Sequence, residues 1–429
     1  RKIMNMTTSV PQTPSLFRRI MTKLAAFAPG IFLIGYSIGT GSITTMAKAG
    51  ANYGVSLMWA VALSCIVTWF LIRIYGRYAS VTGERALTAF RRHIHPGVAM
   101  LFLIGLTVAV SGSIMGVMGI LADVMATWST TWFSGGISAL AWAIAMVIMI
   151  NVMLWTNSNA GFDKILSALV GIMGLAFVIN FFIMMPPVAD LLAGFIPSVP
   201  DPVAGDNSTP FLIISGMVGT TVAPAMFLMR TTLVKSNGWG VDNLPHQNRD
   251  AIVSAGMMFI ISAAVMAAAA GTLYQTGTGL NNASQMVIIL EPIAGSAAVG
   301  LFVIGIVAAG LSSQFPNLLL TPWLLADWRD TSNEVSPGYR ILMTVMSLLC
   351  LVVPLFHARP VLVMIASQAF NAIILPLTVL CMFWLANKPS LMGKYRCSRW
   401  ENVMFIAISV FTLIMGYMAM SGLIESLMK

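Results

Sequence analysis

The sequence predicts an all-α polytopic membrane protein, and three observations support that class. Of the 429 residues, 58% are hydrophobic and only 9% are charged, and the mean hydropathy is +0.87. A soluble domain carries about 25% charged residues. Apolar runs of about 20 residues, each long enough to cross a hydrocarbon core, recur along the whole chain. We count eleven such runs, at 27–49, 55–76, 97–122, 137–155, 162–184, 211–236, 250–273, 294–325, 338–356, 360–386 and 402–424.

The net charge of +9 is better explained by membrane topology than by nucleic-acid binding. Lys and Arg precede the first apolar run and occupy alternate loops, whereas 123–136, 185–210 and 274–293 contain none. The positive-inside rule then predicts a cytoplasmic N-terminus and an external C-terminus. We expect an integral protein of a bacterial inner (plasma) membrane, with the lipid bilayer and not nucleic acid as its partner. No cleavable signal peptide is expected, because no small-residue cleavage site follows the first apolar run.

The first apolar run is predicted to be a helix broken in its middle by Gly39, Thr40, Gly41 and Ser42. Non-helical backbone at that depth persists only where it lines a cavity or is buried in protein. Unwound helices near the midplane are a common binding element of secondary transporters. The segment offers backbone groups and two hydroxyls but no carboxylate.

The sixth run is predicted to be broken as well, at Ala223, Pro224, Ala225 and Met226. Pro224 lacks a backbone N–H and its ring clashes with the preceding turn. Because runs one and six cross the membrane in opposite directions, two matched breaks indicate an inverted repeat of five plus five helices with a site between them. The predicted organisation is therefore a cytoplasmic segment, two repeats and an eleventh helix, at 1–26, 27–184, 211–386 and 402–424. Two ordinary kinks in packing helices are the alternative, since Gly and Pro are common in membrane spans.

Short motifs occur in a specific order along nearly the whole chain. They are Ala49-Gly50-Ala51-Asn52-Tyr53-Gly54, Val81-Thr82-Gly83-Glu84, Phe162-Asp163-Lys164-Ile165, Gly194-Phe195-Ile196-Pro197, Thr221-Val222-Ala223-Pro224, Ala309-Gly310-Leu311-Ser312-Ser313, Ser367-Gln368 with Leu375-Pro376, and Leu391-Met392-Gly393. In order and spacing these motifs resemble those of the Nramp family of metal-ion transporters. The resemblance implies a LeuT-type fold and ion-coupled alternating access.

The chain differs from typical members of the family at the positions that bind the metal ion and carry protons. Typical members read Asp-Pro-Gly-Asn in the first break, where Asp and Asn are metal ligands, and this chain has Gly39 to Ser42 there. Typical members read Met-Pro-His-Asn in the sixth helix, where the Met sulfur is a ligand, and this chain has Ala223 to Met226. Their third helix carries two acids on a proton path, and 110–116 here has none. The tenth-helix Gln of the family is kept as Gln368.

The residues themselves also argue against a carboxylate-based metal site. All 14 acidic residues fall in loops or within about a turn of a predicted span end. A hard divalent cation usually needs a carboxylate to offset its lost hydration. Met226 offers a soft ligand, but a Met in an apolar helix most often packs. We therefore expect no metal site. The candidate substrate-binding residues are Gly39, Thr40, Gly41, Ser42, Ala223, Met226, Gln368 and Asn371.

Two cations and two serines complete the candidate site. Lys48 and Arg230 lie beyond the two breaks, and charged side chains inside membranes are usually functional. For Lys48 the preferred interpretation is that it snorkels to the outer interface, and for Arg230 an equal alternative is that it pairs with backbone carbonyls or a loop acid. Ser312 and Ser313 are candidate ligands for a coupling sodium ion, although serines also pack helices closely. Proton coupling is not favoured, because no acidic residue lies in the middle of a predicted span and the four histidines fall in loops.

Three functions remain open at this point. The preferred one is a secondary transporter for a small carboxylate, zwitterion or other polar solute. The second is a divalent metal ion (Mn/Mg-like) transporter of altered selectivity that uses neutral ligands. The third is a non-transporting membrane sensor. An enzyme is not expected, because no nucleophile–base pair is visible in the spans, and no cofactor is expected beyond a coupling sodium ion or proton.

Overall fold

A computed structural model describes residues 39–132, 134–156, 171, 174–179, 181–183, 186–277, 279–290, 298–329 and 337–428. Helices dominate this part of the chain, and the all-α class is confirmed. In chain order they are α1 (Thr40–Tyr53), α2 (Met58–Thr82), α3 (Ala86–His93), α4 (Pro96–Ser129), α5 (Ala139–Thr156), α6 (Val188–Ala193), α7 (Pro210–Thr221), α8 (Pro224–Ser236), α9 (Leu244–Ala269), α10 (Ala298–Arg329), α11 (Pro337–Leu348), α12 (Val352–Phe356), α13 (Pro360–Asn387), α14 (Pro389–Met392) and α15 (Arg399–Met428). A π-helical turn, Ala270–Tyr274, extends α9.

Eight stretches of the described chain are helical, long and apolar enough to cross a membrane, with α7 and α8 counted together as one. They correspond to the predicted runs two, three, six, seven, eight, nine, ten and eleven. Helix α5 covers run four but is shorter than these eight stretches. The count of eleven stays a prediction, because residues 1–38 and most of run five lie outside the described residues.

Prolines and a left-handed glycine set several helix ends. Pro96, Pro210 and Pro360 stand at the first turns of α4, α7 and α13, where the missing N–H has no helical acceptor in any case. Gly83 ends α2 with φ of 68°, a conformation that glycine adopts at little cost.

Two core helices bring the rest of the bundle together. Helix α13 packs against α4, α7 and α15, and α9 packs against α1 and α2. Helix α1 is buried along its whole length, and α7 with α8 is 94% buried over its most apolar window. A helix that is apolar and buried all round lies inside a bundle and away from lipid. The two segments predicted to be broken are therefore central in the fold.

The second predicted break is present but shorter than expected. Helix α7 ends at Thr221, Val222 and Ala223 leave the helical conformation, and α8 starts at Pro224. The predicted unwinding through Met226 is wrong because Pro, with its fixed φ, readily starts a helix. At the first break, Gly39 is extended and α1 begins at Thr40. The predicted unwinding through Ser42 is wrong for that end, and residue 38 lies outside the described chain.

Candidate functional site

A small cavity lies where the start of α1 faces the α7–α8 junction. Its volume is about 30 Å³, room for one or two water molecules. Helices α1, α4, α10 and α13 and the α7–α8 junction supply its walls. Of the described residues that line it, none carries a charge. They are Gly39, Gly41, Ser42, Leu106, Ala109, Val110, Ser113, Val117, Thr220, Ala223, Ala225, Ser313, Asn317, Leu320, Met364, Gln368 and Asn371.

Most of the sequence-predicted binding residues come together at this cavity. Gly39, Gly41, Ser42, Ala223, Gln368 and Asn371 line it, as does Ser313 of the predicted coupling pair. Three predicted residues do not. Thr40 and Met226 are fully buried outside the lining, and Ser312 is half-buried away from it.

The sequence predicts Met226 in the site as part of the second break. Because Pro224 starts a helix, Met226 lies instead in the first turn of α8. Its backbone N–H donates to Ala223 O at 3.0 Å. Its side chain is 0% exposed and belongs to the hydrophobic core. The methionine that does line the cavity is Met364 on α13.

The cavity offers several neutral donors and acceptors from different helices. Gln368 Nε2 donates to Ser113 Oγ at 3.4 Å, and Asn371 Nδ2 donates to Gln368 Oε1 at 3.3 Å. Asn317 on α10 adds a third amide. These groups are buried, so a ligand that accepts or donates hydrogen bonds would meet little competition from water. Sequence reasoning missed Ser113, Asn317 and Met364, since only the packing of α4, α10 and α13 brings them to one place.

Lys48 does not snorkel to an interface, contrary to the preferred sequence interpretation. It is 1% exposed, and its Nζ lies 2.5 Å from Asp206 Oδ2. The ammonium group also donates to Leu280 O at 2.7 Å and to Asn281 Oδ1 at 3.1 Å. The pair borders a second cavity of about 240 Å³, on the side predicted to be external. Lys48 thus joins α1 to two segments that are far away in sequence.

Arg230 is also buried in an ion pair. Its Nη1 lies 2.6 Å from Asp250 Oδ2, and the two side chains are 0% and 1% exposed. The pair connects α8 to α9. Neither Lys48 nor Arg230 lines the central cavity, so the two predicted gating cations flank the site and do not contact a ligand in it.

Metal-binding clusters of the usual kind are not found in the part of the chain that the structure describes. No three His, Cys, Asp or Glu side chains converge there. The four cysteines are buried free thiols, and none lines the central cavity. Any ion in the cavity would therefore be held by amides, hydroxyls, backbone carbonyls and the Met364 thioether.

The fold and the central cavity between α1 and the α7–α8 junction define a polytopic membrane transporter. The model of the Nramp family, described as natural resistance-associated macrophage protein-like, matches residues 30–421. The chain therefore belongs to the Nramp family.

Similar proteins include two described as divalent metal cation transporter MntH. The one from Erwinia tasmaniensis is 24% identical over 408 residues, covering 92% of this chain and 94% of the relative. The one from Klebsiella pneumoniae is 22% identical over 427 residues, covering 98% and 99%.

Solved structures support the LeuT-type fold. A variant of the Eremococcus coleocola manganese transporter aligns with a TM-score of 0.72 at 18% identity, covering 96% of this chain and 88% of the other. Mhp1, a nucleobase-cation-symport-1 family transporter, aligns with a TM-score of 0.60 at 16% identity, covering 94% and 90%. A Na⁺-coupled sialic acid symporter aligns with a TM-score of 0.58 at 12% identity, covering 93% and 89%. One fold therefore serves ions and organic solutes, and the substrate must be argued from the cavity.

Proposed function

We propose that this protein is a secondary transporter that moves a divalent metal ion by alternating access and binds it in the central cavity through neutral ligands. The observation that carries the proposal is the cavity itself. Its volume of about 30 Å³ suits an ion better than an organic solute, and buried polar groups from five helices converge on it. The relatives described as divalent metal cation transporters favour the same substrate class.

The missing carboxylate determines how such an ion would bind. A divalent cation in a neutral site keeps part of its hydration, because amide and hydroxyl oxygens offset only some of the cost of removing water. Gln368, Asn371 and Asn317 present oxygens that can coordinate the ion or its remaining water molecules. Weak binding is compatible with transport, since a substrate must leave the site as readily as it enters. We expect millimolar rather than micromolar affinity.

A small polar solute remains the second candidate, because the cavity lining is uncharged. The N-terminus of α1 lies at the cavity, where Gly39 and Gly41 line it, and the positive end of the helix dipole there favours a carboxylate. In this conformation the cavity is too small for an amino acid, so that substrate would require the site to widen. A sensor that binds a ligand without moving it is the third possibility.

Flux measurements in proteoliposomes distinguish the three. We expect Mn²⁺ or Cd²⁺ to quench an enclosed metal-sensitive dye in liposomes that contain the protein, and Gln368→Ala to slow the quenching. Asn387→Ala is the matched control, because Asn387 is an amide at the end of the same helix that does not line the cavity. Quenching no faster than in empty liposomes refutes metal transport. A thermal-shift response to small carboxylates or zwitterions would then support the solute, and binding without uptake would support a sensor.

The coupling ion is tested in the same liposomes. Sodium and proton gradients are imposed separately, and the gradient that drives uptake identifies the coupled ion. Ser313 lines the cavity, but its Oγ donates to Gly310 O at 3.0 Å, a bond within its own helix. We expect Ser313→Ala to change sodium dependence only if sodium is the coupled ion.

A further inference from the structure

Met364 is the only sulfur-containing side chain among the described residues that line the central cavity. It is 1% exposed and precedes Gln368 by one turn of α13. Residues four apart lie on the same helix face, so Met364 and Gln368 line the cavity side by side.

Two glycines on other helices make the space that Met364 occupies. A Cβ atom on Gly41 would stand 2.2 Å from Met364 Cε and 3.0 Å from Gln368 Nε2. A Cβ atom on Gly116 of α4 would stand 2.9 Å from Met364 Sδ. Any larger residue at either position would displace the methionine. The methyl end of Met364 and the amide of Gln368 therefore meet at the first turn of α1, and the sulfur lies against Gly116.

We propose that Met364 is a specificity-determining residue that gives the neutral site a ligand for borderline and soft divalent ions, and this inference rests on the proposed function. A thioether is polarisable and favours soft ions, whereas Mg²⁺ and Ca²⁺ favour oxygen. Since the cavity has no carboxylate to attract hard cations, a single sulfur ligand has a large effect on the selectivity between ions. Methionine has three rotatable bonds, so its sulfur can turn from Gly116 toward an ion beside Gln368. The site thus prefers Cd²⁺ over Mn²⁺ and excludes Mg²⁺.

The experiment compares Met364→Leu with wild type in proteoliposomes and measures Cd²⁺ and Mn²⁺ influx separately. Leucine nearly conserves the volume of methionine and is tolerated in most cores. We expect the ratio of Cd²⁺ to Mn²⁺ influx to fall about tenfold, the effect of one lost favourable contact. Met226→Leu is the matched control, because Met226 is a buried methionine outside the cavity lining, and it should leave the ratio unchanged.

An unchanged ratio in folded, transporting Met364→Leu protein overturns the inference while leaving metal transport intact. The absence of influx of either ion into wild-type liposomes overturns the proposed function, and this inference with it. X-ray absorption at the cadmium edge tests the wild type directly if the variant does not fold. A sulfur neighbour around bound Cd²⁺ is expected, and a shell of oxygen and nitrogen alone contradicts the proposal.

Discussion

Lys48 Nζ and Asp206 Oδ2 lie 2.5 Å apart and join the far end of α1 to the segment that precedes α7. Asn52 Nδ2 donates to the same carboxylate oxygen at 2.7 Å, and the backbone N–H of Ser208 donates to Asp206 Oδ1 at 2.8 Å. The carboxylate therefore connects α1 to the segment that leads into α7. Because these helices flank the central cavity, the ion pair holds together the side predicted to be external.

Asp206→Asn should lower the melting temperature of the purified protein. The change leaves the buried Lys48 ammonium group without its counter-charge, while the amide keeps one acceptor oxygen, so we expect a loss of about 1–3 kcal/mol. Asp201→Asn is the control, because Asp201 is exposed in the same loop. Equal melting temperatures of the two variants at pH 7 would contradict the structural role of the pair.

The stability difference between wild type and Asp206→Asn should depend on pH. Burial opposes ionisation of Asp206, but the hydrogen bond and charge of Lys48, with Ser208 and Asn52, hold the pKa of Asp206 below its usual range. A carboxylate with a lowered folded-state pKa stabilises the fold above its unfolded pKa of about 4 and loses that contribution as the pH falls through the folded value. The melting curves of wild type and variant should therefore converge only in acid below about pH 4. A difference that persists there contradicts the assignment.

Gly41→Val should abolish uptake while leaving the protein folded. A Cβ atom at Gly41 would stand within 2.2 Å of the flexible end of Met364, so the added side chain takes the place of a ligand-contacting group. Gly256→Val is the matched control, because a Cβ atom on Gly256 would meet nothing within 4 Å. Uptake and melting temperature are measured for both variants. Normal transport by Gly41→Val would show that the first turn of α1 is a packing feature and does not contact the substrate.

The sequence alone predicted the class of fold because its signals are local. Long apolar runs, charged loops and the missing N–H of Pro224 each act within a few residues. The partners of Lys48 could not be predicted in this way, since Asp206 and Leu280 are far along the chain and only the packing of α1 brings them close. Met364 is one of 32 methionines, and nothing in its neighbouring residues distinguishes it. Its place in the cavity depends on two glycines from other helices.

Arg230→Met should destabilise the protein by about 3–5 kcal/mol, because it removes one partner of a buried ion pair and leaves the other charge in place. The double variant Arg230→Met, Asp250→Leu should recover much of that loss, since apolar side chains can replace a buried pair. Arg249→Met changes an exposed neighbour and serves as the control. Denaturation of each variant in detergent gives the stability. A double variant no more stable than Arg230→Met would contradict this account.

Gly39→Asp combined with Ala223→Met should convert the neutral cavity into a tighter site for Mn²⁺. Both positions line the cavity, so the double variant adds a carboxylate and a second thioether where the typical members of the family carry theirs. Gly39 is the extended residue that caps α1, and Asp is among the preferred residues at that position, so the fold should tolerate it. A unit charge beside a divalent ion is strongly attractive even at an effective dielectric constant of about 20. We expect the dissociation constant, measured by calorimetry, to fall at least about tenfold.

Gly39→Asn with Ala223→Met is the neutral control, since Asn caps a helix equally well. If this control binds Mn²⁺ as tightly as the Asp variant, the missing carboxylate is not what limits metal binding in the native cavity.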